Sequence, residues 1–157
     1  MLKKIAAMGA AGVLCWGLNT APASAAATSM EYVHIESVAD VGECLDYRSD
    51  WGPYTTTCNE GAYQTWLMSP YADTETELRQ NAGARLCLVA RNGVPVMRDC
   101  IAGDQAALWT LHDGGGAGWQ LVNKATKTCL VAGSDDHHRV GLNTCSTGGS
   151  RSWILYS

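Results

Sequence analysis

Basic residues are scarce in this sequence, and after residue 25 no apolar run approaches the length needed to cross a bilayer. From residue 26 onward two lysines and seven arginines face fifteen acids, a net charge of −6 with histidine neutral. That balance argues against binding nucleic acid or an anionic membrane by charge, and no membrane insertion is expected. Cys-x-x-Cys and Cys-x-x-His spacings are both missing, so zinc, the competing use of cysteine, is not expected either. None of the four histidines sits in a nucleophile motif, and no acid, base and nucleophile can be assembled. The reading is therefore of a non-enzymatic chain that needs no cofactor. Helical periodicity beyond about two turns is also absent after residue 25.

The N-terminus reads as a secretory signal. Lys3 and Lys4 supply the positive start, Ile5 to Leu18 the apolar stretch, and Ala23-Ser24-Ala25 the small-residue cleavage pattern. Cleavage before Ala26 leaves 26–157 as a single domain, and the localisation expected is secreted, extracellular. Removing Cys15 leaves six cysteines, an even number that suits a disulfide framework in an exported chain.

Those six cysteines recur with three tryptophans. Cys44-Leu45, Cys58 and Trp66 are followed by Cys87-Leu88, Cys100 and Trp109, then by Cys129-Leu130, Cys145 and Trp153. Leading cysteines lie 43 and 42 residues apart and closing tryptophans 43 and 44 apart, the period of a supersecondary unit. The repeat favours pairing within each copy: Cys44 to Cys58, Cys87 to Cys100 and Cys129 to Cys145. Short apolar runs such as Leu86-Cys87-Leu88-Val89 alternate with turn-forming clusters such as Asp50-Trp51-Gly52-Pro53 and Arg91-Asn92-Gly93, which predicts an all-β fold of short strands. Ser69 to Thr76 and His112 to Gly118 read as connectors, placing the copies at about 31–69, 76–113 and 118–157. A copy of that size cannot bury a core alone. Three must close on one another, giving a pseudo-threefold β-trefoil barrel with one disulfide per repeat and Trp66, Trp109 and Trp153 in its core.

Cys-Leu, a second Cys after a turn and then a Trp, three times over, resembles the ricin B-chain-type lectin repeat, whose fold is the β-trefoil. Its closing Gln-x-Trp stands here as Gln64-Thr65-Trp66, while Ala107 and Arg151 hold the glutamine position in the other copies. The resemblance implies carbohydrate binding through an Asp after Cys-x that accepts hydrogen bonds from adjacent sugar hydroxyls. Only Cys44-Leu45-Asp46 keeps it; Val89 and Val131 replace it and offer no acceptor. At the place of the family's stacking ring the chain has Thr56, Arg98 and Asn143.

The expected site is thus single and lies in the first copy. Asp46 accepts from two hydroxyls, Tyr54 or Trp51 covers an apolar sugar face, and Tyr63 and Gln64 close the polar side. The plainer reading of Asp46 is a turn-forming acid, and of Gln64 a group satisfying buried backbone. Asp135-Asp136-His137-His138 reads as a solvated hairpin tip, because neighbouring side chains rarely converge on one metal ion. The partner expected is a glycan or polysaccharide. The alternative is a secreted protein partner, with the chain acting as a protease inhibitor or as a subunit of an extracellular complex through the loop Ser49 to Thr57.

Overall fold

The computed structural model describes residues 29–115, 118–133 and 135–157. The expected signal segment 1–25 lies outside the described residues. The described residues form thirteen strands: β1 (Glu31–Ser37), β2 (Glu43–Arg48), β3 (Gly52–Thr57), β4 (Thr65–Met68), β5 (Thr76–Glu77), β6 (Arg79–Gln80), β7 (Cys87–Arg91), β8 (Val94–Arg98), β9 (Leu108–Asp113), β10 (Trp119–Asn123), β11 (Thr128–Val131), β12 (Gly141–Thr144) and β13 (Trp153–Tyr156).

Strand pairing closes a barrel. β1 pairs with β4 and β4 with β6; β5 then pairs with β9, β9 with β10, β10 with β13, and β13 returns to β1. The break between β5 and β6 at Leu78 lets one segment serve two neighbours. Alternation does the sorting: along β1, Val33, Ile35 and Ser37 are buried, and the residues between them face outward. Three hairpins, β2–β3, β7–β8 and β11–β12, extend from the barrel. In each copy the leading cysteine opposes a residue of the copy's first strand, as in Glu36 with Cys44, Arg79 with Cys87 and Val122 with Cys129.

The recurring Cys-Leu and Trp now have a physical cause. Each tryptophan is fully buried and its indole N–H needs an acceptor. Trp66 Nε1 donates to the Leu45 carbonyl at 3.0 Å, Trp109 to Leu88 at 2.8 Å and Trp153 to Leu130 at 3.1 Å. The three leucines are buried with them in one core cluster. Each copy thus ties its hairpin to its last barrel strand, and a disulfide joins Cys44 to Cys58, Cys87 to Cys100 and Cys129 to Cys145. Turn chemistry completes the hairpins. Asn92 and Gly93 both have positive φ, 51° and 78°, between the paired Arg91 and Val94, as a two-residue turn of this twist requires.

At the tip expected to be solvated, residues 135–138, Asp135, Asp136 and His137 are exposed and His138 is half-buried, and the tip also makes contacts outside its own copy. Asp135 accepts from the His137 and Arg139 amides at 3.1 and 2.9 Å and from Arg139 Nε at 2.8 Å. The loop so formed leans on the first hairpin: the Thr55 amide donates to the His138 carbonyl at 2.9 Å and the Val140 amide to the Pro53 carbonyl at 3.1 Å. His138 Nδ1 lies 2.9 Å from Glu43 Oε2, which also accepts from the Thr55 hydroxyl at 3.1 Å.

Candidate functional site

The hairpin register decides which side chains share a face. Asp46 and Tyr54 lie directly opposite one another on β2 and β3, so their side chains stand side by side. They wall a shallow cleft of about 600 Å³ whose lining also includes Arg48, Ser49, Asp50, Asn59 and Tyr63.

Asp46 is nearly buried, at 6% exposure, and its carboxylate is held from behind. Oδ2 accepts from Gln64 Nε2 at 3.0 Å, and Oδ1 accepts from the Tyr47 amide. Gln64 is completely buried and spends its whole amide on this task. Its second N–H goes to the Thr57 carbonyl at 3.0 Å, and its oxygen accepts from the Asn59 amide at 2.8 Å. Gln64 therefore positions Asp46 and fixes the turn at Asn59 without lining the cleft. Among the described residues each Asp46 oxygen has one protein partner, and a carboxylate oxygen accepts two. One acceptor direction per oxygen remains for a ligand.

The rings divide between two sides of the hairpin turn. Tyr63 is 55% exposed and lines the cleft; the Gln80 amide holds its backbone by donating to the Tyr63 carbonyl at 2.7 Å. Tyr54 is buried against the cleft wall, and that burial, with the Asp46 carboxylate beside it, pushes its hydroxyl above the usual phenol range. Trp51 is not part of the cleft. Its ring carries the Arg48 guanidinium at 3.9 Å, meets the Tyr54 edge at 5.4 Å and packs on His137 at 4.6 Å. Arg48 is also ion-paired to Asp50 at 2.9 Å.

Of the five residues expected from sequence, the structure brings Asp46, Tyr54 and Tyr63 together, sets Gln64 behind them, and turns Trp51 toward the loop of the third copy. Tyr63, expected on the polar side, presents the exposed ring. Arg48 and Asn59, to which the sequence does not point, also line the cleft, as does Asp50 of the Ser49 to Thr57 loop; the hairpin register places Arg48 and the turn beside Asp46, whereas Asn59 is placed by Gln64 folding back on it.

The corresponding places in the other copies are built differently. Val89 and Ala107, where the first copy has Asp46 and Gln64, are buried together in a small apolar cluster with Cys87 and Ala106. In the third copy Val131 is half-buried, and Arg151 turns its Nε to the Thr144 carbonyl at 2.9 Å. Among the described residues, the one group with metal-like proximity is Glu77 with Cys87 and Cys100, and those sulfurs are bonded to each other.

A family model described as the ricin-type beta-trefoil lectin domain matches residues 31–153. Among solved structures the chain is similar to ThreeFoil, a designed threefold-symmetric protein, with TM-score 0.69, 18% identity, and coverage of 80% of this chain and 98% of that one. The Polyporus squamosus lectin, solved with the human-type influenza-binding epitope Neu5Aca2-6Galb1-4GlcNAc, matches with TM-score 0.65 and 15% identity over 81% of this chain; the match spans 49% of that lectin. SeviL, solved with the asialo-GM1 saccharide, matches with TM-score 0.62 and 18% identity over 82% of this chain and 98% of its own. No protein of curated function matches.

Proposed function

The chain belongs to the ricin-type β-trefoil lectin domain family, and from that premise we propose that it is a secreted, non-enzymatic carbohydrate-binding protein whose single sugar site is the Asp46 cleft of the first copy. The observation that carries this reading is the restrained carboxylate: Asp46 is oriented by Gln64 and the Tyr47 amide and keeps one free acceptor direction on each oxygen. Adjacent hydroxyls of one sugar ring match that arrangement, because a carboxylate accepts two such bonds at once. Tyr63 supplies the amphipathic ring for the apolar face, and Arg48, Ser49 and Asn59 supply further polar groups around it. The apolar pair Val89 and Ala107 leaves the second copy no equivalent acceptor, and Val131 leaves the third none. Three disulfides suit an oxidising, extracellular setting.

A single shallow site binds weakly, so the protein works by multivalency, as an oligomer or by clustering on a polymer. Glycan-array and polysaccharide pull-down measurements on wild type and Asp46→Ala test the reading. Loss of a charge-assisted acceptor weakens binding by about 10- to 100-fold. Undiminished binding by Asp46→Ala removes the site.

A protein-binding trefoil is the second reading, favoured by one observation: the 135–139 loop, Trp51 and the first hairpin form a braced surface spanning two copies. Inhibition of secreted proteases, or co-purification of a partner from culture supernatant, would support it. Clear sugar binding with neither result eliminates it.

A further inference from the structure

We propose that the junction of the three hairpins holds a second binding site, for an amphipathic anion: an apolar ring system or short chain bearing one carboxylate or sulfonate. A cavity of about 390 Å³ opens there, with Trp51 and Pro53 contributed by the first hairpin, Val94 and Arg98 by the second, and Arg139 and Val140 by the third. The walls come from all three copies because β8 packs against both β3 and β12. Its volume lies at the small end of the range for ligand sites.

The chemistry of the lining selects the ligand class. Val94 is 51% exposed at a hairpin turn where burial contributes nothing to the core, so its apolar surface is available to a ligand. The lining mixes apolar Pro53, Val94 and Val140 with Ser49 and two arginines, which suits a ligand of both characters. Two arginines line the cavity in a chain that carries more acids than bases. Among the described residues Arg98 bonds only to the Met97 carbonyl, at 3.2 Å, and pairs with no carboxylate. Arg139 gives Nε to Asp135 and leaves its terminal nitrogens without a protein partner among the described residues. Planar, weakly hydrated guanidinium groups beside apolar surface suit an anion attached to an apolar body. Tyr47 and Ser49 wall this cavity on one side and the Asp46 cleft on the other, so the two sites are back to back and the second does not depend on the first being a sugar site.

The test uses the full native protein with its disulfides intact and two probes of the same shape, 8-anilinonaphthalene-1-sulfonate and the uncharged N-phenyl-1-naphthylamine. The sulfonate should bind once per chain, shift the backbone amide resonances of Val94 to Arg98 that bear amides, and bind about tenfold tighter than the uncharged probe. Arg98→Gln should remove most of that preference, and Val94→Asp should weaken the sulfonate more than the neutral probe. Tyr63→Ala, in the other cleft, should change neither, and circular dichroism and thermal midpoints establish that each variant is folded. Equal affinity for the two probes, resonance shifts elsewhere, no effect of Arg98→Gln in a folded protein, or no binding at about 1 mM sulfonate overturns the proposal.

Discussion

Replacing Gln64 by glutamate separates a residue that positions the site from one that merely fills space. The wild-type amide donates twice, to Asp46 Oδ2 and the Thr57 carbonyl, and accepts once, from the Asn59 amide, with no exposure to water. An ionised glutamate keeps only the accepting role. It also sets two carboxylates about 3 Å apart, at a cost of about 5 kcal/mol for an effective dielectric constant near 20. Taking up a proton at pH 7 costs about 4 kcal/mol from an ordinary glutamate value near 4.3. Proton uptake is the cheaper route, and the shared proton restores a donor to Asp46. The Thr57 carbonyl still loses its partner, which adds about 1–3 kcal/mol.

Gln64→Glu should therefore be less stable than wild type by about 5–7 kcal/mol at pH 7 and by only about 1–3 kcal/mol near pH 4. The sign follows from linkage. The folded pair holds its proton above the pH at which the unfolded glutamate releases one, so the folded state binds more protons between those two values. Stability of the variant is then fully present below the unfolded value and falls by about 1.4 kcal/mol per unit as pH rises toward the folded one. Urea denaturation of both proteins between pH 4 and 8, disulfides intact, measures the difference, in which the titrations common to both cancel. A difference that stays constant with pH, or is under about 1 kcal/mol at pH 7, would refute the buried Asp46–Gln64 network and with it the account of how the carboxylate is aimed.

Three further outcomes follow from the geometry. Substituting phenylalanine singly for Trp66, Trp109 or Trp153 removes an indole donor, strands a buried leucine carbonyl and opens a small void, so each variant should lose about 2–4 kcal/mol in chemical denaturation; one copy tolerating the change freely would contradict the threefold equivalence of these bonds. Replacing Cys44 and Cys58 together by alanine should cost about 3 kcal/mol by the loop-entropy account, and it should weaken sugar binding because the closed loop carries both Asp46 and Tyr54. Asp135 is held down to about 2 by the amide and the side chain of Arg139. Its loop contribution is therefore present above the ordinary aspartate value and is lost only as pH falls through about 2. Carbon-detected NMR of the Asp135 carboxyl, with the Trp51 and His137 ring signals as reporters of docking, reads this directly; ring signals that move together between pH 5 and 3 would contradict it.

The architecture was open to sequence reading because one local requirement recurs. An indole buried in the barrel must find an acceptor, and the leucine after each leading cysteine provides it, so Cys-Leu and Trp are retained together at a spacing set by the hairpin between them. Polar positions with no such shared task differ between copies, so the repeat says little about what they contact. The tip at residues 135–138 is solvated over 135–137, as expected, but its contacts with Glu43 and Thr55 reach into another copy, with Glu43 95 residues from His138. Spacing along the chain carries no information about a contact of that kind.

The site shows the same division within one copy. Asp46 and Tyr54 could be matched because a hairpin turns sequence position into a facing pair, whereas Trp51 sits in the turn itself, where no strand alternation governs direction. Its ring went to Arg48 and His137, and the exposed ring of the cleft came instead from Tyr63, in the loop that Gln64 pins through the Asn59 amide. Gln64 thus acts twice, aiming the carboxylate from one side and shaping the loop that bears the ring on the other. Loss of Gln64 should weaken a sugar's hydrogen bonds and its stacking contact together, while Tyr63→Ala should weaken the stacking contact alone by about 0.5–1.5 kcal/mol, up to about tenfold in affinity. Titrating one glycan against Gln64→Leu, Tyr63→Ala and the double variant measures this coupling. Strictly additive losses would mean that the amide and the ring act independently, and that the cleft is not organised through Gln64.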